Sequence, residues 1–404
     1  MNHFPTCPTL ADHASAHAEG GDAAVPRPDR RRLLAGALAL PLLGVGAAAR
    51  AAADTPVRIG QSIALTGPLG DLGSAMHQGA QAAFAGVNAR GGVNGRRIEL
   101  TTLDDGYDVA RSVTNVNQLL AMPDCLALFN CMGTPMVAAS LPKVMETGVP
   151  LFAPFTGAQL SRVKGARNIF NIRASYADEA QKVVQHLQTL GIQRIAVVYQ
   201  ANTFGREVLA GVQQAMARLK LPEAATATVQ DDASDAQTSA QKLADADPEA
   251  VIVGLAGKPA LQFVKAFRPL RRGVNVYALS VMGTSASIKA LGADATGMAV
   301  SQVMPLPTKS IAPVVREFQQ AWKAAGASAE PSHLALEGYI NARVFAEALQ
   351  RAGSNPTRAS FINATWELKR LDLGGFEIAA TAPEHSASRF VELTMIGRDG
   401  RFMR

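Results

Sequence analysis

Leu126-Ala127-Leu128-Phe129-Asn130-Cys131-Met132-Gly133-Thr134-Pro135 holds a strand, a turn and a helix start in one short stretch. The run Leu126–Phe129 reads as a strand buried on both faces, because no polar residue alternates within it. Thr134 is placed to cap a helix and Pro135 to occupy its first turn, where a missing N–H breaks no hydrogen bond. A helical pattern from Met136 to Glu146 follows, and then a second apolar strand from Val149 to Ala153. Strand, helix, strand in this order predicts a mostly parallel sheet covered by helices.

The same alternation extends in both directions. Upstream lie the strand Val57-Arg58-Ile59-Gly60, a helical stretch over 75–89, an extended 97–103 and a helical 109–122. Downstream a second series runs through helix 180–190, strand 194–199, helix 206–219, strand 250–254, helix 260–270 and strand 275–279. Between the two series, Phe170-Asn171-Ile172-Arg173-Ala174-Ser175-Tyr176 reads as an extended crossover. The fold class is therefore α/β with two doubly wound parallel-sheet lobes; the rival is a closed barrel, which would want eight comparable βα units without interruption. Met304-Pro305-Leu306-Pro307 breaks the second series, long helices follow over 312–325 and 333–352, and Phe390-Val391-Glu392-Leu393-Thr394-Met395-Ile396 returns to strand before the polar turn Arg398-Asp399-Gly400-Arg401.

The N-terminus carries an export pattern. Asp29 and Arg30-Arg31-Arg32-Leu33-Leu34 precede an apolar run from Ala35 to Ala49, and Ala51-Ala52-Ala53 offers the small residues a signal peptidase accepts, so cleavage is expected near Ala53. The paired arginine fits a twin-arginine signal. A retained anchor is the alternative, but fifteen apolar residues rich in Gly and Ala fall short of the ~20 a membrane helix needs. Residues 1–53 remove five arginines and four acids, leaving 34 basic against 29 acidic side chains, interleaved along the chain. Such a mild, unclustered excess is no nucleic-acid footprint.

Cofactor chemistry finds no support. Cys125 and Cys131, at the two ends of one apolar run, lie about 20 Å apart if the chain between them is extended, beyond disulfide reach, and are expected as free, buried thiols. They lack CxxC spacing, and no two histidines form a ligand pattern, so no metal is expected. Gly254-Leu255-Ala256-Gly257-Lys258 has Pro259 where a phosphate loop needs Ser or Thr, and its glycines are too close together. Asp104-Asp105-Gly106 reads as a turn and cap rather than a catalytic pair.

Three loops at strand ends carry the ligand chemistry. Asn130 to Pro135 leads into a helix whose first N–H groups can hold a carboxylate, though an ordinary capped helix has the same sequence. Ala153-Pro154-Phe155-Thr156-Gly157-Ala158 ends the next strand, and Leu65-Thr66-Gly67-Pro68 the first. In open α/β sheets ligands bind at these carboxyl ends.

These passages, with Gly91-Gly92-Val93-Asn94-Gly95-Arg96, Asp104-Asp105-Gly106-Tyr107-Asp108 and Phe204-Gly205 after Tyr199, resemble the leucine/isoleucine/valine-binding protein family of ABC importers, the type I periplasmic binding proteins, over almost all of Val57 to Phe402. The resemblance implies two α/β lobes joined by a three-stranded hinge, with crossovers near Arg173, near Val303 and between Leu368 and Phe376. Lobe 1 would comprise 54–173 plus 304–368, and lobe 2 174–303 plus 376–404. It implies a ligand carboxylate gripped by Gly133 and Thr134 and by Phe155, Thr156 and Gly157. Tyr176, Asp178 and Phe204 would reach across the cleft, with Leu255 and Met282 near the side-chain pocket.

One departure bears on the ligand. Where relatives place an acid for the ligand ammonium, this chain has Ser280-Val281-Met282-Gly283-Thr284-Ser285, with no carboxylate. Asp178 could substitute, or it caps the helix beginning near Glu179. The expected function is periplasmic capture of a branched-chain amino acid or a related small carboxylate or amide, by a monomer serving separate permease and ATPase subunits. A sensor docking on a membrane receptor is the alternative, and an exported hydrolase the third class.

Overall fold

The computed structural model describes residues 55–403 apart from Glu223, Gly283, Lys309 and Ser310; the export pattern between Asp29 and Ala53 lies outside the described residues. The first sheet comprises β1 (Val57–Ile63), β2 (Ile98–Asp104), β3 (Cys125–Phe129), β4 (Leu151–Phe152) and β5 (Ile169–Phe170), with helices α1 (Gly70–Ala89), α2 (Val109–Ala121) and α3 (Thr134–Thr147) between them. Its order is β2-β1-β3-β4-β5, parallel throughout. After α4 (Tyr176–Thr189) come β6 (Ile195–Gln200), α5 (Thr203–Arg218), β7 (Ala225–Val229), α6 (Ala236–Asp245), β8 (Ala250–Gly254), α7 (Gly257–Leu270), β9 (Asn275–Ala278), α8 (Ser285–Leu291) and β10 (Ala299–Gln302). These strands repeat the order as β7-β6-β8-β9-β10, again parallel. Two open doubly wound sheets exclude the closed barrel. The unit β7–α6 was not read from the sequence, since Ala, Thr, Ser and Gln carry little apolar periodicity.

The chain then returns to the first lobe through α9 (Pro313–Ala324), α10 (His333–Ala352) and α11 (Arg358–Glu367). Helix α10 crosses α1 so closely that a β-carbon at Gly79 would lie 1.8 Å from the Ala335 carbonyl, and one at Gly338 would lie 2.0 Å from that of Met76. Phe345 on α10 packs edge-on against Phe84, Phe129 and Phe152 and meets Phe361 of α11 at 4.7 Å. This aromatic cluster seats the returning helices on the first sheet.

The third crossover differs from its expected place. Residues between Leu368 and Phe376 enter a hairpin, β11 (Arg370–Asp372) with β12 (Glu377–Ala379), whose Leu373, Phe376 and Ile378 pack into the first-lobe core. The chain leaves that lobe only after Ala387 and Ser388, whose N–H groups donate to Asn171 and Ile172 of the first crossover. It joins the second sheet antiparallel to β10 as β13 (Glu392–Ile396), followed by β14 (Phe402–Met403). Apolar burial accounts for this: Phe376 and Ile378 are 2 % and 1 % exposed in the first-lobe core.

Candidate functional site

Where the lobes face each other, one apolar cluster draws on both: Leu69, Leu72, Met132 and Phe155 from the first, Tyr176, Phe204, Ala256 and Val281 from the second. These residues, with Tyr107, Gly133 and Thr134, line a cavity of about 20 Å³, room for about one water. A solute held here must part the lobes or move a ring.

The sequence folds this way locally because β3 and β4 end side by side. Phe155 N–H donates to the Cys131 carbonyl and Gly133 N–H to the Phe155 carbonyl, which zips the two loops together. Asn130 (φ 47°) and Ala153 (φ 50°) hold left-handed backbone at the two strand ends, a local strain often found at binding sites. Thr134 begins α3; its hydroxyl lies 2.7 Å from that of Thr156, which also accepts from Ala158 N–H. Asp104 secures the third loop: it accepts from the N–H groups of Leu65, Thr66 and Gly106 and from the Thr66 hydroxyl. Against partial desolvation, those bonds hold its carboxyl down at about 2. Asp104 and Asp105 form the turn read from the sequence, while the cap on α2 is Asp108, whose side chain accepts from Arg111 N–H.

Of the residues singled out from the sequence, Gly133, Thr134, Phe155, Tyr176 and Phe204 come together on the cavity. Thr156 stands behind Thr134, and the Gly157 carbonyl accepts from Tyr176 N–H while leaving space for the Tyr176 ring. Asp178 is exposed and closes a capping box with Ser175 at the start of α4, so it does not aim inward. Leu255 and Met282 lie in the second-lobe core; their neighbours Ala256 and Val281 face the cavity instead. Leu69, Leu72, Tyr107 and Met132 were not assigned to the site from the sequence, although the loops carrying Tyr107 and Met132 were picked out. Cys125 and Cys131 are buried free thiols, and burial pushes Cys131 up to about 12.

Behind Phe155 lies a charged layer. Arg173, on the first crossover and 2 % exposed, places its guanidinium 4.9 Å from the Phe155 ring centroid and 5.9 Å from that of Tyr176. Glu179 of the second lobe and Glu337 of the first stand 3.6 and 3.7 Å from it. Glu179 accepts from Ser280 N–H and from the hydroxyls of Ser280 and Ser301. Burial raises both carboxyls, Glu337 to about 7, despite the pull of Arg173. The lobes are also tied at the rim: Asp71 of α1 accepts from the hydroxyls of Thr284 (2.9 Å) and Ser287 (2.6 Å), and Glu207 of α5 from Gln159 N–H. Among the described residues no group of three His, Cys, Asp or Glu side chains could hold a metal, and no helix is long and apolar enough to cross a membrane.

A family model described as periplasmic binding protein matches residues 56–401. A leucine/isoleucine/valine-binding protein homolog of Brucella melitensis is 25% identical over 333 residues, 81% of this chain and 87% of that protein. A substrate-binding periplasmic protein of Ralstonia solanacearum has a solved structure with 32% identity and a TM-score of 0.81, covering 86% of this chain and 99% of that one. A possible leucine/isoleucine/valine-binding protein of Rhodopirellula baltica is similar at 27% identity and a TM-score of 0.80. A solute-binding protein of R. palustris in complex with benzoate, 15% identical with a TM-score of 0.76, shares the fold.

Proposed function

The chain belongs to the periplasmic binding protein family, and from that membership we propose that it is the solute-binding component of an ABC importer, holding a branched-chain amino acid or related small carboxylate or amide between its lobes. The family and its fold are those of substrate-binding proteins, which are not enzymes. The observation that carries the reading is the cavity built from strand-end loops of both lobes, with the chain crossing between them beside it. Such a site opens and closes by hinge motion and binds by enclosure. Gly133, Thr134, Phe155, Thr156 and Gly157 are assigned to the carboxylate end, and Tyr176, Phe204, Ala256 and Val281 to the opposite wall.

The protein is assigned to the periplasm as a monomer, after cleavage near Ala53, with a separate permease and ATPase as partners. Changing Arg30 and Arg31 to lysine tests the route: accumulated cytoplasmic precursor supports the twin-arginine label, and unaffected export removes it. The binding assignment is tested by mass spectrometry of solute released on mild denaturation, alongside thermal shift. A true ligand at a hundred times its Kd adds about 2.7 kcal/mol of stability. Nothing retained and no screened solute stabilising the fold would refute the assignment.

A further inference from the structure

We propose that the solute is an apolar monocarboxylate that carries no ammonium group. This deepens the solute-binding assignment above and rests on it.

Every residue lining the cavity is uncharged, and four of them are aromatic: Tyr107, Phe155, Tyr176 and Phe204. An ammonium enclosed among them would lose its water without gaining a counter-charge. The nearby carboxylates are already engaged by the protein. Asp104 holds the first loop, Asp105 accepts from the Ser62 hydroxyl and Tyr107 N–H, Asp178 caps α4, Glu207 accepts from Gln159, Glu179 is occupied by two serines and Arg173, and Glu337 faces Arg173. Asp231 accepts from Gln200 and Asn202 and lines nothing in the cavity.

Two guanidiniums are buried behind the strand-end loops. The Arg173 guanidinium lies one ring away, behind Phe155 and Tyr176. Arg162, 4 % exposed, donates to the carbonyls of Ala158 and Arg173 and to the hydroxyls of Ser161 and Ser386, and forms no ion pair among the described residues. Arg173 is faced by Glu179 and Glu337, and Arg162 adds a guanidinium with no ion pair among the described residues, so the layer holds no spare carboxylate for an ammonium. The start of α3 favours an anion: Thr134, its first residue, lines the cavity at the positive end of the helix dipole. A carboxylate meets the α3 helix start here, and the aromatic walls take the apolar body.

Matched pairs test this on the purified protein by titration calorimetry: 4-methylpentanoate against leucine, and 3-phenylpropanoate against phenylalanine, each differing only in the ammonium. At least tenfold tighter binding of the acid in a pair is the expected result. Equal or tighter binding of the amino acid overturns the proposal and leaves the solute-binding assignment standing. If neither pair binds, the solute retained through purification decides: an acid without an ammonium supports the proposal, and one with an ammonium or without a carboxylate overturns it. If nothing binds and nothing is retained, the solute-binding assignment fails and takes this inference with it. Val281→Asp, which adds a carboxylate to the lining, should erode the preference for the acid. A folded V281D with unchanged preference would count against the counter-charge argument.

Discussion

Gly257 opens α7 at φ +52° and meets the first lobe so closely that a β-carbon there would lie 2.2 Å from Leu69 Cδ2 and 2.5 Å from the Pro68 carbonyl. Gly257→Ala therefore has two separable effects. The left-handed backbone costs roughly 1–2 kcal/mol for any L-residue and acts whether the lobes are open or closed. By itself this lowers the melting temperature by about 1–3 °C for a chain of this size. The contact with Pro68 and Leu69 exists only when the lobes meet. The leucine tip can turn aside, but the backbone carbonyl cannot, so the lobes must stay apart by about 1 Å to restore van der Waals distance. Loosening even one hydrogen bond to the solute by that much costs about 1–1.5 kcal/mol, roughly tenfold in Kd.

Gly148 supplies the control. It is left-handed, at φ +61°, but a β-carbon there meets nothing within 4 Å. Gly148→Ala should lower the melting temperature by the backbone term alone and keep full affinity. Calorimetry with the solute identified by mass spectrometry, and thermal unfolding of the unliganded proteins, read the two effects apart. Wild-type affinity in Gly257→Ala would refute the reasoning, because lobes that bind normally with a β-carbon at position 257 do not close onto Pro68 and Leu69.

Asp71→Ala removes the acceptor of two rim hydrogen bonds from Thr284 and Ser287. Solvent screening at this exposed site limits the loss to about 1–2 kcal/mol, so solute dissociation should accelerate about 5- to 30-fold in stopped-flow measurements, with unfolding of the unliganded protein unchanged. Glu337, raised by burial to about 7 from an ordinary 4.5, binds a proton in the folded state that the unfolded chain has released. Its stabilising contribution is complete below about pH 4.5 and is lost as pH rises through 7, and Glu337→Gln should remove that part of the melting-temperature decline. His333 acts oppositely: burial lowers it to about 3, so its contribution is complete above pH 6.5 and is lost as pH falls toward 3. Asp178→Ala breaks the α4 capping box and should cost about 0.5–2 kcal/mol in denaturant unfolding while leaving solute affinity unchanged.

The strand-end loops were legible because their signals are local. An apolar run followed by Gly, Thr and Pro states where a strand stops and a helix starts, and β3 and α3 begin and end within two residues of that reading. Asp178 remained ambiguous in sequence because a capping carboxylate and an inward-facing one share the same residue at the same spacing. Only the position of Ser175 beside it in space settles the matter. Leu255 and Met282 show the limit most clearly. Both loops were found, yet which of two adjacent apolar residues faces the cleft is a one-residue alternation that composition does not fix.

The sequence by itself determined the α/β alternation, the two series that become two lobes, and the loops at their strand ends. These follow from periodicity, capping and turn chemistry acting over a few residues. Tertiary structure alone decided that Phe376 and Ile378 stay with the first lobe, that Tyr107 joins the cavity, and that Arg173 lies beneath Phe155 between Glu179 and Glu337. Each of those depends on which residues distant in the chain share a buried volume, and the cleft's charge is set by such neighbours rather than by the residues that line it.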